Sequence, residues 1–214
     1  FIYPTWSFLH SWETREWWSK ASWRRRVWKD TIRNWSWNWG ERIIRINIKE
    51  LLDPNWKVND KISKISINYL LSKNIKALIL DVDGTLISGN KPVLSNDIKN
   101  WIQNSKKYFY TYLFSNNPSK NRIKIIADEL NLDFTSSGGK PSKRKLKKVL
   151  DRIPYSSNEI AIIGDRIFTD ILVGNRLGMY TILVDSVDYY GKRIEKNNFQ
   201  SIERYLAKII TGDF

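Results

Sequence analysis

From Ile75 onward the apolar positions fall into short blocks that alternate between two periods. Ile75-Lys-Ala-Leu-Ile-Leu80 is a nearly unbroken apolar run of strand length, and it predicts a buried strand. Leu94 to Asn104 predicts a helix, with Ser95 as its candidate N-cap. Phe109 to Phe114 predicts a second strand. Ser119 to Leu130 places Ile123, Ile125, Ile126 and Leu130 along a helix, and Asp133 to Thr135 is a short third strand. Pro141 to Leu150 predicts a basic helix with Pro141 in its first turn, where a missing N–H is tolerated. Glu159 to Ile163 predicts a strand, and Phe168 to Leu177 a helix ended by Gly178. Tyr180 to Val184 is the last strand. Ile202, Tyr205, Leu206, Ile209 and Ile210 mark a terminal amphipathic helix. Strands alternating with helices imply parallel βαβ units, hence an α/β fold with a doubly wound, mainly parallel sheet. Ligands of such sheets bind beyond the carboxyl ends of the strands. The residues just after each strand are therefore the candidates for chemistry.

The pattern changes before about residue 48. Nine of the eleven tryptophans lie between Trp6 and Trp39, beside the basic run Arg24-Arg25-Arg26, and no helical or strand period is sustained there. The reading is a Trp/Arg-rich extension over residues 1–48 and one domain over 49–214. Three accounts of the extension stay open: a targeting segment, an interfacial membrane patch, and a stretch without a fold of its own. The chain begins at Phe1 rather than Met, so the natural N-terminus is expected upstream or removed.

Composition narrows the chemistry. Without cysteine, disulfides, thiolate metal sites and cysteine nucleophiles are excluded. His10 is the only histidine and reads as a surface residue of the extension, which leaves acid–base work to carboxylates, Lys or Tyr. The net charge of +14 favours phosphate-bearing partners: nucleic acid, anionic lipid or small phosphorylated molecules. No stretch approaches the roughly 20 apolar residues of a membrane span.

Four segments carry candidate chemistry. The first strand runs into Asp81-Val-Asp83-Gly-Thr85-Leu86. Two carboxylates at a buried strand exit are costly unless they work or bind a cation. Asp81 can act as a nucleophile on phosphorus, and Asp83 as the acid and base for the leaving oxygen and the attacking water. Gly84 permits the turn, and Thr85 can orient the carboxylates. A calcium-type acidic loop is the competing reading. The second strand ends in Ser115-Asn116-Asn117, where a hydroxyl and backbone N–H groups can hold phosphate oxygens, although an ordinary turn into a helix has the same look. Gly138-Gly139-Lys140-Pro141 brings positive charge to the start of the basic helix, with a solvated lysine as the alternative. The fourth strand ends in Gly164-Asp165-Arg-Ile-Phe-Thr169-Asp170. Asp165 is placed to ligate Mg²⁺ beside Asp81, and Asp170 either supports it or caps a helix.

In this order, each behind a strand, the segments resemble the haloacid-dehalogenase-like (HAD) phosphatases. The family's motifs fall on Asp81, Asp83 and Thr85, on Ser115, on Lys140, and on Asp165 with Asp170. The resemblance implies catalytic Asp81, Asp83 and Lys140. It implies phosphate binding by Thr85, Ser115, Asn116 and Lys140, and a Mg²⁺ site drawing on Asp81, Asp83, Asp165 and Asp170. It also implies a Rossmann-like fold. Only 34 positions separate Asp81 from Ser115 and 25 separate Ser115 from Lys140, too few for a cap domain. An open site suits a large or anchored substrate, and can also take a small sugar phosphate.

A finer resemblance covers about residues 49 to 210. Gly164 to Val184, with Leu51-Leu52-Asp-Pro54 and Ile75 to Asp81, is similar to the uncapped subfamily III A, phosphatidylglycerophosphate phosphatase branch. Members often carry Asn where Gly84 stands, and the basic segment after the last strand matches only loosely, as Lys192-Arg193 to Asn197. The implied reaction removes the terminal phosphate of phosphatidylglycerophosphate. The implied partners are a lipid headgroup and an anionic membrane surface touched peripherally. The implied location is cytoplasmic or the inner face of a membrane, or the stromal side in a plastid-bearing eukaryote. Two alternatives stand beside it: a phosphatase for a soluble sugar or nucleotide phosphate, and a basic nucleic-acid-binding protein built on the Trp/Arg segment.

Overall fold

The computed structural model describes residues 35–39, 42–46, 48–88, 92–194 and 198–211. His10 and the Trp/Arg-rich stretch before residue 35 lie outside them, as do residues 195–197 of the basic segment. The chain divides into two units, Phe1–Asn47 and Ile48–Phe214. In the first, β1 (Trp35–Trp39) pairs antiparallel with β2 (Arg42–Ile46), Trp35 opposite Ile46 and Trp39 opposite Arg42. Trp-Ser-Trp-Asn-Trp is a five-residue alternation of period two, a strand signal too short to register as a sustained period over the whole extension.

The second unit is built on a sheet whose centre is β4 (Ala77–Leu80). All four of its residues are fully buried, because both faces of the strand are covered. Around it lie β5 (Tyr110–Phe114) and β6 (Asp133–Thr135) on one side. On the other lie β7 (Ile160–Gly164), β8 (Tyr180–Leu183) and the two-residue edge β3 (Trp56–Lys57). The order is β3-β8-β7-β4-β5-β6 and every neighbouring pair is parallel. The doubly wound α/β fold is thus present, with an all-parallel sheet.

Alternate residues of the strands feed separate cores, as the period of two requires. Leu78, Leu80, Leu113, Ala161, Ile163 and Ile182 pack with Ile98, Trp101 and Ile102 of α3 (Asn96–Ser105) and with Ile123 and Ile126 of α4 (Lys120–Leu130). Ala77, Ile79, Phe114, Ile160 and Ile162 pack with Leu146, Val149 and Leu150 of α5 (Lys143–Leu150). A third cluster joins Leu52 of α1 (Ile48–Leu52), Ile167, Ile171 and Leu183 to Ala207 of α7 (Asn198–Thr211). The Asn175 side-chain amide donates to the carbonyls of Glu50, Leu51 and Asp53, closing the C-terminal end of α1. The short helix α2 (Ile67–Ser72) starts at Ser66, whose hydroxyl accepts from the Tyr69 N–H.

Three elements depart from expectation. Pro141 lies outside α5, which starts at Lys143 behind the Ser142 cap; the Lys140–Pro141 peptide is cis. The helix expected over Phe168 to Leu177 is divided into a π-helical turn, Ile167–Ile171, and α6 (Leu172–Arg176). The N–H groups of Asp170 and Ile171 both reach the Arg166 carbonyl, which widens that turn. Between β4 and β5 the described residues hold the single helix α3, and between β5 and β6 the single helix α4. Among the described residues, neither connection holds a cap domain.

Candidate active site

Strand register brings the candidate residues together. Leu80 pairs with Leu113 on one side and Ile163 on the other. Asp81 is one residue past that rung, and Ser115 and Asp165 are two residues past it. The Asp81 N–H still donates to the Ile163 carbonyl at 2.9 Å, so its backbone is fixed by the sheet. The ends of the three central strands thus present Asp81, Ser115 and Asp165 side by side, with Lys140 arriving from the loop before α5.

Lys140 is the hub. Its ammonium donates to Asp81 Oδ1 at 2.5 Å, to Asp170 Oδ1 at 2.5 Å and to the Phe114 carbonyl at 3.0 Å. Its side chain is 2% exposed, so these bonds replace water almost completely. Burial alone lowers a lysine pKa, but the charges of Asp170 and Asp81 outweigh it and hold Lys140 above its usual value. Asn116 positions the hub: its side-chain carbonyl accepts from the Lys140 N–H at 2.7 Å and its amide donates to the Lys140 carbonyl at 2.9 Å. Asn116, expected at the phosphate, lines the cleft while its side chain holds both backbone groups of Lys140.

The carboxylates divide into two sets. Asp81, Asp165 and Asp170 are buried, and one oxygen of each lies within 4.8 Å of the others. Burial pushes Asp81 above the ordinary carboxylate range; Lys140 opposes this, and the charges of Asp170 and Asp165 add to it. Asp165 is likewise raised, by burial first and then by Asp170. Thr85 donates to Asp81 Oδ2 at 3.2 Å, and the Ser186 hydroxyl donates to Asp165 Oδ2 at 2.7 Å. Three carboxylates against one ammonium leave an excess of negative charge that a dication would neutralise. All-oxygen donors and a partly hydrated geometry are what Mg²⁺ accepts, so Asp81, Asp165 and Asp170 fit that ion.

Asp83, expected as a ligand too, is outside this set. Its carboxylate takes Arg122 Nη2 at 2.9 Å, Asn117 Nδ2 at 3.1 Å and Ser115 Oγ at 3.2 Å. Thr85, expected to bind phosphate, is fully buried behind the carboxylates and does not line the cleft. Two glycines allow the close packing. A Cβ on Gly164 would stand 2.3 Å from Asp170 Cγ, and one on Gly84, at φ +94°, would stand 2.5 Å from Asp165 Oδ2.

Above these groups opens a cleft of about 560 Å³, lined by Asp81, Asp83, Ser115, Lys140, Arg122 and Arg166 among others. Both arginines escaped the sequence reading. Arg122 lies in the first turn of the helix after β5, and Arg166 directly after Asp165. The signal available for each was a basic residue close behind a strand end.

Residues 137–205 match the model of the HAD-hydrolase-like family. The chain is 27% identical over 145 residues to the probable phosphatase YqeG of Bacillus subtilis (strain 168), covering 68% of this chain and 84% of that one. It is 22% identical over 177 residues to phosphatidylglycerophosphate phosphatase 1, chloroplastic/mitochondrial, of Arabidopsis thaliana, covering 76% of this chain. The match takes in 48% of the Arabidopsis protein, so the chain corresponds to about half that relative's length. A solved structure, 3-deoxy-D-manno-octulosonate 8-phosphate phosphatase from Moraxella catarrhalis with magnesium and phosphate, aligns at a TM-score of 0.43 and 14% identity. That alignment covers 70% of this chain and 95% of the other. Residues 137–205 thus resemble the HAD-hydrolase-like family, and the proteins the chain is similar to include phosphatases.

Proposed function

We propose that the chain is a Mg²⁺-dependent phosphomonoester hydrolase that works through an aspartyl-phosphate on Asp81, with phosphatidylglycerophosphate as its substrate. The observation that carries this is the Lys140 ammonium clamped between Asp81 and Asp170 at the floor of an open cleft, with Asp165 beside them. Asp81 attacks phosphorus, the phosphorus–oxygen ester bond breaks, and the leaving oxygen takes a proton from Asp83. Water then attacks phosphorus and gives its proton to Asp83. The acyl-phosphate bond breaks, and inorganic phosphate and free Asp81 are restored. Asp83 suits this exchange because its carboxylate lines the cleft and is 37% exposed, whereas Asp81 lies on the cleft floor with 6% exposure. Lys140 opposes the upward push of burial on Asp81 and offsets charge on the phosphoryl group. A Mg²⁺ on Asp81, Asp165 and Asp170 would supply further positive charge to the phosphoryl oxygens.

The lipid assignment is supported by the similarity to the Arabidopsis enzyme and by the net charge of +14, which suits an anionic membrane surface. No helix among the described residues is long and apolar enough to cross a membrane, so contact with lipid would be peripheral. The test is phosphate release from phosphatidylglycerophosphate in mixed micelles, with Mg²⁺ and with EDTA, for the wild type and Asp81→Asn. Release that requires both Mg²⁺ and Asp81 is expected. Asp81-dependent release confined to soluble sugar or nucleotide phosphates would keep the chemistry and remove the lipid, and full activity in Asp81→Asn would remove both.

A further inference from the structure

The helix α7 buries only part of its apolar surface. Ala207 and Ile210 pack against Leu52, Ile167, Ile171 and Leu183, and Glu203 is buried as well. Ile202, Tyr205, Leu206 and Ile209 are instead 40% to 63% exposed. Lying three, four and seven residues after Ile202, the last three share with it one stripe about 100° wide along the helix. Single apolar residues are ordinary on a surface, whereas a continuous stripe marks a contact site. The stripe is tied to the cleft. The Glu203 carboxylate reaches Arg166 at 3.6 Å, and Arg166 lines the cleft together with Asp170.

The charge beside the stripe is positive. All six strands run parallel, so their carboxyl ends share the sheet edge that carries Asp81. On that edge Lys57 ends β3, and Asp185 lies two residues past β8. Arg193 and Arg204 both pair with Asp185, at 2.8 and 2.6 Å, so two cations meet one carboxylate. Lys57 is held below the ordinary lysine value, first by burial and then by the like charges of Arg204 and of Lys208, one turn further along α7. Arg204 belongs to α7 itself, so cations and apolar stripe are presented by one helix. Resting on the lipid-phosphatase reading above, we propose that the exposed face of α7 is a membrane-docking surface. The stripe enters the interface of a bilayer, and anionic headgroups meet the cations around Asp185. Charge complementarity selects this occupant: a second copy of the chain would bring like charges together, whereas an anionic headgroup brings the opposite sign. A helix with one apolar face and flanking Lys or Arg lies in the headgroup boundary, and the polar tip of Tyr205 suits that depth. Docking by this face brings the strand ends that carry Asp81 to the lipid headgroups.

The test uses the full chain carrying Asp81→Asn, so that binding is read without turnover. Its cosedimentation with vesicles of phosphatidylcholine, alone or mixed with phosphatidylglycerol, is compared with that of the same chain further carrying Ile202→Ser and Ile209→Ser. Binding to the anionic vesicles should exceed binding to phosphatidylcholine by at least about tenfold, and added salt should weaken it. The double substitution should weaken it by about tenfold or more, because two aliphatic side chains no longer enter the interface. Both positions face solvent, so the melting temperature should hold. With Asp81 intact, the same two substitutions should lower turnover of phosphatidylglycerophosphate in vesicles and leave turnover of its soluble deacylated form unchanged. Equal anionic-vesicle binding with and without the substitutions would overturn the assignment, and so would binding indifferent to phosphatidylglycerol. A dimer of the parent chain that the substitutions split would give the stripe to a second copy and overturn it too. Should the double variant melt early, Tyr205→Ser reads the same stripe, and a parent chain that binds no anionic vesicle overturns the assignment without any variant. Failure of the substrate reading shows separately, as no phosphate release from phosphatidylglycerophosphate by a chain that has Asp81 and binds the vesicles; the docking face would then stand without that substrate.

Discussion

Replacing Lys140 by Met tests the electrostatics of the site most directly. The ammonium makes bonds of 2.5, 2.5 and 3.0 Å and is 2% exposed, so methionine fills most of the volume but leaves Asp81 and Asp170 without their shared cation. Removing one partner of a buried ion pair costs about 3–5 kcal/mol. That is a large part of the roughly 5–15 kcal/mol that holds a domain folded. The loss should depend on pH. Burial already holds Asp81 and Asp165 above the ordinary carboxylate range. A carboxylate raised in the folded state binds protons more readily there than in the unfolded chain. Its ionisation therefore destabilises the fold increasingly as pH rises above the unfolded value of about 4, and at full cost above the folded one. Lys140 itself is raised and stays charged from pH 5 to 8. Without it the carboxylates shift further upward, so the deficit of Lys140→Met should be largest near pH 8 and shrink toward pH 5. Saturating Mg²⁺ should shrink it as well, because a dication replaces the missing charge. Urea denaturation in EDTA at pH 5, 6.5 and 8, repeated with Mg²⁺, measures all of this. A deficit below about 1 kcal/mol at pH 8, or one independent of pH, would refute the argument.

Two further outcomes follow from the same cluster. Protons compete with the metal for Asp81, pushed up to about 7, and Asp165, pushed up to about 6, in both cases chiefly by burial. Mg²⁺ affinity should therefore weaken as pH falls below about 7, by up to about tenfold per unit for each proton displaced. Calorimetric titration at pH 5.5 and 7.5 giving equal dissociation constants would dismiss the cluster as the metal site. Gly164→Ala puts a Cβ 2.3 Å from Asp170 Cγ, so Asp170 must leave Lys140 or the strand must yield. A loss of about 1–3 kcal/mol is expected, with weakened Mg²⁺ binding, read by thermal melting and the same titration. Unchanged stability together with unchanged Mg²⁺ affinity would count against the packing described.

How far the sequence carried this site depends on what kind of question each residue answers. Buried parallel strands are continuous apolar runs, so Ala77–Leu80 and Ile160–Gly164 announce themselves, and with them the residues at their exits. A two-residue edge strand such as Trp56–Lys57 has no period to detect. The π-helical turn at Ile167–Ile171 arises because the Arg166 carbonyl takes two N–H donors while Asp170 turns toward Lys140, a tertiary demand invisible to propensity. Side-chain destinations are harder still. Asp81 and Asp83 have the same chemistry two residues apart, and nothing local tells which one faces the buried ammonium. The difference is made mainly by residues 30 to 60 positions away, with Thr85 the one near neighbour. Lys140 and Thr85 claim Asp81, while Arg122, Asn117 and Ser115 claim Asp83. That division gives two like carboxylates different environments, one nearly buried on the cleft floor with its proton affinity raised, the other 37% exposed and paired to Arg122. Nucleophile and proton carrier need such contrasting settings, so the proposed division of roles within Asp81-Val-Asp83 draws on the partners each carboxylate finds in the fold.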